Sequence, residues 1–474
     1  MSDGAADPAS GEFVEADLKR LQRCVMIVTI LSSFVAFLDG SVVNVALPAI
    51  RRDLGGGLST QQWVVDAYLI SLGALMLVAG SFSDKFGRVR ILRIGLIGFG
   101  AASALCALAF DPVFLVICRG LQGVAGALLV PSSLALIISA FSGAAQGRAI
   151  GRWTAWTGTA MIAGPILGGV FVDLVSWRLV FAINLIPIAV TLWYLPRLRP
   201  LDAGRAATAG HSRIDVRGTL LCVLGLGGPV FALIEYANFG WGSPVIWIPL
   251  VIGVGCFAFF IDYERRAPGA MVPPSLFAVR NFAVGNVTTT LMYGALSAGG
   301  FLITVFVQQV GGYPATAAGL AMLPTTLIML AFSTRIGTLA ARIGPRIFMT
   351  AGPIVAGMGY LYMLIVDARV TYWTQILPGV LIFGIGLTIT VAPLTSAILG
   401  SVQRELAGTG SAVNNAISRV AGLLAVAVLG IVLGDTVDPA GFKNGLIFCA
   451  ALLIAGGVVS GIGIRNPAPP TDAQ

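Results

Sequence analysis

The chain alternates long apolar runs with short stretches that hold charged residues, Gly or Pro. A helix needs about 20 mostly apolar residues to cross a bilayer, so each long run predicts a membrane-spanning helix. The first run follows three basic residues and is too long for the apolar core of a signal peptide, which predicts an uncleaved first helix. Fourteen spanning helices are predicted, over residues 24–48, 61–80, 91–109, 112–140, 148–172, 179–196, 217–238, 244–262, 284–309, 315–334, 346–366, 373–400, 405–434 and 441–464. The predicted fold class is therefore all-α, as a polytopic membrane protein.

The basic residues are distributed unequally between the two sides of these helices. With the N-terminus inside, the inner segments carry 22 of the 29 Lys and Arg residues and the outer loops carry 5. Short cytoplasmic loops carry the excess of Lys and Arg in membrane proteins. Both the N- and C-termini are therefore predicted to be cytoplasmic, which requires an even number of helices.

Two similar segments indicate an internal duplication. The second helix is followed by GSFSDKFGRVRIL, and the second of the last six helices is followed by STRIGTLAARIGPRIF; each combines a Gly turn with basic residues at an inner loop. Such repeats are typical of transporters built around a site at the midplane of the membrane. The predicted division is a cytoplasmic tail at 1–23, an N-terminal six-helix half at 24–196, a cytoplasmic linker at 197–216, a central helix pair at 217–262, a cytoplasmic loop at 263–283, a C-terminal six-helix half at 284–464 and a cytoplasmic tail at 465–474.

The composition narrows the function classes. Hydrophobic residues make up 57% of the chain and charged residues 11%, whereas a soluble domain is about 45 to 50% apolar and about a quarter charged. A soluble enzyme is therefore excluded. The net charge of +8 is dispersed between apolar runs, which argues against a nucleic-acid partner. The six Cys lack C-x-x-C spacing, a single His is present, and there is no ATP-binding phosphate loop, so we expect no metal, no cofactor and no ATPase activity.

Charged residues inside the predicted helices carry the strongest chemical signal, because each costs at least about 2.5 kcal/mol at mid-bilayer. Asp39 and Arg119 lie roughly 13 and 10 Å from the outer surface at 1.5 Å per residue, and Asp66 lies shallower on the same side. We expect the first two to meet and Asp66 to lie near them. Since the proton affinity of a buried carboxylate depends on whether a guanidinium stays beside it, Asp39 is the predicted main proton carrier, Asp66 a second carrier or cation-recognition site, and Arg119 the coupling partner. A static ion pair, and an interfacial Asp66 without a transport role, are the alternatives.

Aromatic and amide side chains on the predicted helices are candidates for a substrate cavity, because ring faces attract cations and amides form hydrogen bonds at membrane depth. These candidates are Phe37, Tyr68, Trp153, Trp156, Tyr293, Phe301, Asn414 and Asn415. Ordinary packing is the alternative for each ring. Arg419 lies with the two amides near the middle of the thirteenth helix, and Glu235 is expected to reach water at the outer end of the central pair.

Several motifs resemble those of the major facilitator superfamily, specifically its fourteen-helix drug/proton antiporter branch. The match spans residues 24–464. The motifs that carry it are FLDGSVVNVALPAI at 37–50, QWVVDAYLI in the second helix, GSFSDKFGRVRIL after it, RGLQGVAGALLVPSS at 119–133, GTAMIAGPILGG at 158–169, SWRLVFAINLIP at 176–187 and GTGSAVNNAISRVAG at 408–422.

The resemblance implies roles for two groups of residues. The loop after the second helix would act as a gate that stabilises one conformational state, with a positively charged inner loop as the simpler alternative. Its residues are Gly80, Asp84, Gly87, Arg88 and Arg90. The fifth helix carries an antiporter motif, in which small residues allow close packing and Pro weakens the helix; packing alone is the alternative. Its residues are Gly158, Gly164, Pro165, Gly168 and Gly169.

The function implied by the resemblance is proton-coupled efflux, as antiport, of amphipathic, cationic or neutral drug-like compounds across the inner (cytoplasmic) membrane. The expected partners are a small-molecule substrate, protons and the lipid bilayer, with no ATPase subunit. Alternating access of the two halves is the implied mechanism. The alternatives are export of an endogenous metabolite, such as an antibiotic, a siderophore or a lipid, and a non-transporting membrane sensor.

Overall fold

The computed structural model describes residues 8–198, 215–267, 273–367, 369–403, 406–433 and 438–466. The sequence-predicted linker and the two tails fall partly outside these ranges. Gly80 and Asp84, two residues of the expected gate, lie at helical positions outside the side chains that the structure describes.

Long helices account for nearly all of the described ranges. Thirteen of them are long and apolar enough to span a membrane. A further long helix, α2, covers the predicted span at 61–80. In chain order they are α1 (Pro8–Leu54, with its spanning part Lys19–Leu54), α2 (Leu58–Phe86), α3 (Arg88–Ala107), α4 (Pro112–Ala140), α5 (Gly143–Leu174), α6 (Leu179–Leu198), α7 (Val216–Phe239), α8 (Pro244–Arg266), α9 (Arg280–Gln309), α10 (Ala315–Ile343), α11 (Pro345–Ile365), α12 (Tyr372–Leu399), α13 (Ala407–Leu433) and α14 (Pro439–Gly463). The all-helical membrane fold expected from the sequence is confirmed.

Three of these helices begin with the same local signal. The side chains of Asp111, Ser243 and Asp438 accept hydrogen bonds from backbone N–H groups in the first turns of α4, α8 and α14. In each case proline follows as the first helical residue, where its fixed φ suits the helix and its missing N–H costs nothing. These starts lie within two residues of the predicted ones.

The two segments that indicated a duplication form the same turn. Gly87 joins α2 to α3 with a φ of 94°, and Gly344 joins α10 to α11 with a φ of 102°. A positive φ of this size is readily adopted only by glycine. The equivalent turns support a structural repeat of the two halves.

Helices of each half pack mainly against one another. In the first half α4 contacts α2 and α3, and α1 contacts α5; in the second half α11 contacts α12 and α14, and α9 contacts α13 and α14. One apolar cluster lies among α1 to α6. A larger cluster fills the second half and continues into the outer ends of α1, α4 and α6. The halves therefore share a packed core at the end predicted to face outside.

The central pair, α7 and α8, lies against the junction of the two halves. Helix α7 contacts both α2 and α13, and apolar residues of these three helices and of α8 form a cluster of their own. Glu235 of α7 accepts a hydrogen bond of 2.7 Å from Trp63 Nε1 of α2 and another from Asn238 Nδ2. Glu235 is partly exposed, so the expectation that it reaches water stays a prediction, and its carboxylate also binds the central pair to α2.

Candidate functional site

Asp39 and Arg119 form a buried ion pair in the first half. Asp39 lies on α1 and Arg119 on α4, and Arg119 Nη1 is 2.5 Å from Asp39 Oδ2. Their side chains are 0% and 2% exposed. The two residues that were expected to meet from their depths along separate helices therefore do so.

Further polar side chains hold this pair. Gln122 Nε2 and Asn184 Nδ2 donate to Asp39 Oδ1 at 2.8 and 2.9 Å, and Arg119 Nη1 also donates to Gln122 Oε1 at 2.6 Å. The amide groups of Gln122 and Asn184 both donate to Ser103 Oγ on α3. The network therefore connects α1, α3, α4 and α6.

Gln122 and Asn184 were missed as site residues in the sequence. Gln122 follows Arg119 by three residues, which places both on one face of α4, and this spacing could have identified it. Asn184 lies within the SWRLVFAINLIP motif, between the helical segments Leu179–Ala182 and Leu185–Tyr194 of α6. Nothing in its local pattern indicated that it reaches Asp39.

Tyr68 belongs to the enclosure of this pair. Its ring centroid lies 4.3 Å from Arg119 Cζ, and its hydroxyl donates to the carbonyl of Ala36. Arg119 Nε donates to the carbonyl of Val64, on the same helix as Tyr68, at 2.9 Å. Since Tyr68 is fully buried, the structure places it against the ion pair and not on an open cavity wall.

Asp66 is separate from the Asp39 network. It is 0% exposed, and neither of its carboxylate oxygens has a hydrogen-bond partner among the described residues. One turn before it, Gln62 donates to the carbonyl of Val426 on α13 at 2.6 Å, so this face of α2 points to the second half. No hydrogen bond joins Asp66 to Asp39 or Arg119 among the described residues, so the expectation that it lies near them stays a prediction; its burial differs from the interfacial alternative. A buried, unpaired carboxyl group at this depth is a place where a proton can be held.

The described part of the expected gate is anchored to α4. Gly87 forms the turn, and Arg88 Nη1 of α3 donates to the carbonyl of Ala135 on α4. The side chain of Arg90 is exposed. The turn therefore holds the inner end of α3 against α4, within the first half.

Glycines of the antiporter motif allow close packing at two interfaces. A Cβ on Gly164 would lie 2.0 Å from Ser41 Oγ, and one on Gly168 would lie 2.7 Å from Val42 Cγ2, both on α1. A Cβ on Gly169 would lie 2.3 Å from the Cα of Thr316 on α10, in the other half. Small residues let helices approach this closely, so the motif packs α5 against α1 and across the junction of the halves.

The remaining two residues of that motif differ from each other. A Cβ on Gly158 would meet nothing within 4 Å. Pro165 contacts the second half, because a Cβ on Gly319 of α10 would lie 2.3 Å from the Pro165 carbonyl oxygen. Gly158 therefore has no packing role in this conformation.

The outer ends of the two halves are joined by hydrogen bonds. Asp173 of α5 accepts from the backbone N–H groups of Ala315 and Thr316 at 2.9 and 2.8 Å. Arg51 Nη1 of α1 donates to Gln309 Oε1 of α9 at 3.1 Å. The molecule is therefore closed at the end predicted to face outside.

Toward the inner end, α5 and α10 expose their side chains. Trp156 of α5 is 60% exposed, and Met161 of α5 and Leu330 and Phe332 of α10 are also exposed. The same two helices are in contact at Gly169 and Thr316. Helix α5 packs far more on the first segment of α10, Ala315–Leu320, than on its continuation, Leu323–Ile343. The two helices therefore diverge toward the predicted cytoplasmic side, which is an inward-facing arrangement.

Four of the eight cavity candidates lie at or near open space. Phe37, Tyr293 and Asn415 are at least partly exposed, as is Trp156. The guanidinium carbon of Arg419, on α13, lies 5.5 Å from the ring centroid of Phe37. These residues come from α1, α5, α9 and α13, and so from both halves.

Three of the other candidates bind neighbouring helices or the core. Trp153 Nε1 donates to Ser33 Oγ on α1 at 3.0 Å, and Asn414 Nδ2 donates to Asn286 Oδ1 on α9 at 3.0 Å. Phe301 is fully buried in the core of the second half. The structure therefore gives Phe301 a core position, whereas Asn414 and Trp153 are partly buried and bind neighbouring helices.

Comparison with known proteins identifies the family. Residues 29–426 match the Major Facilitator Superfamily. The chain belongs to this superfamily. It is 34% identical over 417 residues to the puromycin resistance protein pur8 of Streptomyces alboniger, with 86% of this chain and 81% of that protein covered. It is 33% identical over 422 residues to the multidrug resistance protein Stp of Mycobacterium tuberculosis, with 88% and 76% covered.

Solved structures show the same fold. A POT family transporter in complex with a thioalcohol-conjugated peptide superposes with a TM-score of 0.69 at 14% sequence identity, covering 93% of this chain and 95% of that one. The superfamily resemblance expected from the motifs is confirmed. The protein is therefore a membrane transporter and not an enzyme.

Proposed function

We propose that this transporter exports amphipathic drug-like molecules across the cytoplasmic membrane in exchange for protons. The names of the relatives, a puromycin resistance protein and a multidrug resistance protein, support efflux. The observation that carries proton coupling is the Asp39–Arg119 pair, a carboxylate and a guanidinium buried together inside the membrane. Such intramembrane pairs typically mark ion pathways and proton relays.

Asp39 carries the proton in this proposal. When Asp39 is ionised, Arg119 holds it and the network joins α1 to α4, α3 and α6. A proton on Asp39 removes the charge that attracts Arg119, which releases α1 from this arrangement. Since α1 packs on α5 at Gly164 and Gly168, the release is transmitted to the helix that closes the outer end.

The direction of exchange follows from the inward-facing arrangement. The ion pair is intact in this state, which corresponds to a proton already released toward the cytoplasm. Substrate then enters the cavity between α5 and α10 from the inner side. Outward opening delivers the substrate, and a proton from outside neutralises Asp39 before the halves return. Asp66 is the second carrier, because its buried carboxyl group lies on the face of α2 that meets the second half.

Dye efflux from energised cells tests this function. Fluorescein and rhodamine 6G share a xanthene ring system, but the first is anionic and the second cationic. Using both dyes detects export whether the transporter prefers anions or cations. We expect the wild type to expel at least one dye, a protonophore to abolish this, and Asp39→Asn to be inactive at an equal membrane level. Asp262→Asn is the matched control, because Asp262 pairs with Arg266 at an exposed end of α8.

The outcomes separate the proposals. Normal efflux by Asp39→Asn contradicts the carrier role of Asp39, and efflux that resists the protonophore contradicts proton coupling. If the wild type moves neither dye, export of an endogenous metabolite becomes the better candidate. Competition between a host-cell extract and a radiolabelled antibiotic would then be the next measurement.

A further inference from the structure

Arg419 is an arginine inside the membrane whose charge has no partner in the part of the chain that the structure describes. It lies ten residues from Thr409, the start of the spanning part of α13, which places it about 15 Å into the bilayer at 1.5 Å per residue. Among the described residues, no carboxylate and no hydrogen-bond acceptor pairs with its guanidinium. A charged side chain at this depth is costly and, as a rule, serves a function.

The surroundings of Arg419 come from both halves. Its guanidinium carbon lies 5.5 Å from the ring centroid of Phe37 on α1. Its Cβ lies 3.7 Å from the position of a Cβ built on Gly73 of α2. On α9, a Cβ on Gly294, the residue after Tyr293, would lie 3.3 Å from the carbonyl oxygen of Ala421, two residues after Arg419. Arg419 is therefore where α1, α2, α9 and α13 converge.

Arg419 also reaches accessible space. Its side chain is partly exposed, and Asn415, one turn toward the inner end of α13, is exposed. The two carboxylates described above do not neutralise this charge. Asp39 is paired with Arg119, and Asp66 is fully buried. The guanidinium thus presents an uncompensated positive charge to the cavity between the halves.

The contact with Phe37 does not replace a counter-ion. A ring face attracts a cation, but it satisfies none of the N–H donors of the guanidinium. The planar arrangement of those donors matches a carboxylate, which accepts two parallel hydrogen bonds from arginine. A cationic substrate, in contrast, would be repelled at this position.

We infer that Arg419 binds an anionic group, a carboxylate or an ionised phenol, on an aromatic substrate whose rings lie against Phe37 and Tyr293. This inference rests on the proposed efflux function and specifies the substrate class of the same cavity. It differs from the preference for cationic or neutral compounds expected from the sequence. The residue that sets the preference is the unpaired arginine of α13.

Binding to the purified full-length protein, without a proton gradient, tests the inference. Fluorescence polarisation measures the affinity for fluorescein, which is anionic, and for rhodamine 6G, which is cationic. We expect the wild type to prefer fluorescein. Arg419→Gln should weaken fluorescein binding at least about tenfold, the loss of one charge-assisted contact, with rhodamine 6G unchanged or stronger. Arg419→Lys should retain part of the affinity because it keeps the charge.

The control is Arg266→Gln, which removes the same charge from the exposed end of α8 and should change neither affinity. Both dyes are measured on the same preparation of each variant. Misfolded protein lowers the amount of binding for both dyes alike, so the ratio of the two affinities is unaffected. The inference is overturned if Arg419→Gln binds fluorescein like the wild type, if it loses both dyes equally, or if the wild type prefers rhodamine 6G or binds neither dye.

The failure of this inference and that of the efflux proposal are distinguishable. Binding requires no gradient, so Asp39→Asn should still bind fluorescein although it does not pump. If fluorescein binds through Arg419 but no dye is exported, the efflux proposal fails and the anion site stands. If export through Asp39 holds while Arg419→Gln keeps its fluorescein affinity, only the anion site fails.

Discussion

At the scale of single residues, the central feature is a carboxylate with several donors around it. Asp39 receives one hydrogen bond each from Arg119, Gln122 and Asn184. A buried charge is tolerated only when it is paired and hydrogen-bonded. The two amides therefore share with Arg119 the task of holding an ionised Asp39 inside the membrane, and their loss should disturb the proton step.

The first prediction concerns Asn184, a positioning residue for Asp39. Asn184→Ala removes one hydrogen bond to a charged group, worth about 1.5 to 3 kcal/mol. We expect efflux to fall about tenfold or more and its pH dependence to shift, which a purely structural loss would not produce. Asn238→Ala, which changes an exposed amide at the end of α7, is the control. An unchanged pH profile of dye efflux would contradict the positioning role.

The second prediction concerns the shape of the cation on α4. Arg119 uses Nε for the carbonyl of Val64 and Nη1 for Asp39 and Gln122. A lysine has a single ammonium group and cannot donate to all three of these acceptors at once. Arg119→Lys should therefore lose most efflux although it keeps the charge, whereas Arg266→Lys should be normal. Full activity of Arg119→Lys at an equal membrane level would show that charge alone suffices.

The sequence predicted part of this site. The depths of Asp39 and Arg119 follow from helix rise, a local property, so their meeting could be expected. The position of Asp66 depends on which side of α2 meets α13, and no local pattern contains that information. The contact of Asn184 with Asp39 depends on how α6 packs against α1, which is likewise not contained in a local pattern.

At the scale of helices, most bounds could be predicted because apolar length is read directly from the chain. The differences have a physical reason. Helix α10 continues to Ile343, beyond the predicted end at 334, because Arg335 and Arg342 end the apolar run without ending the helix. Helix α1 likewise begins at Pro8, well before its first apolar residue.

The third prediction separates the glycines of α5. Gly169→Ala places a methyl group 2.3 Å from backbone atoms of α10, whereas Gly158→Ala meets no atom within 4 Å. In Gly169→Ala the backbones of α5 and α10 must move apart, and we expect this to disturb the closed outer end. We expect Gly169→Ala to lose efflux and Gly158→Ala to keep it. Measured at equal membrane levels, equal loss in both variants would contradict a specific role of Gly169 in closure.

At the scale of the whole molecule, the conformational state is set by contacts between the halves at their outer ends. Hydropathy and charge predicted the helices and their orientation, but both conformations of an alternating-access transporter have the same helices. The closed end was therefore not predictable from the sequence. It depends on a few polar contacts such as those of Asp173 and Gln309, which connect residues far apart in the chain.

The final prediction tests this closure through two aspartates with similar local roles. Asp173 accepts hydrogen bonds from the first backbone N–H groups of α10 in the opposite half, whereas Asp111 does the same for α4 within its own half. Asp173→Asn removes the charge that favours the N-terminus of α10, a contribution of about 0.3 to 2 kcal/mol. We therefore expect Asp173→Asn to shift the population toward outward-facing molecules, and Asp111→Asn to leave that population unchanged.

A cysteine at Val45 reports this shift, because Val45 of α1 is buried beside the contact with α9. Five of the six native cysteines are buried, and the partly exposed Cys256 is replaced by serine. A maleimide that cannot cross the membrane should label Val45→Cys several-fold faster in the Asp173→Asn protein than in the parent or in Asp111→Asn. Equal labelling of all three would mean that Asp173 does not hold the outer end closed, and that the apolar core shared by the two halves does so alone.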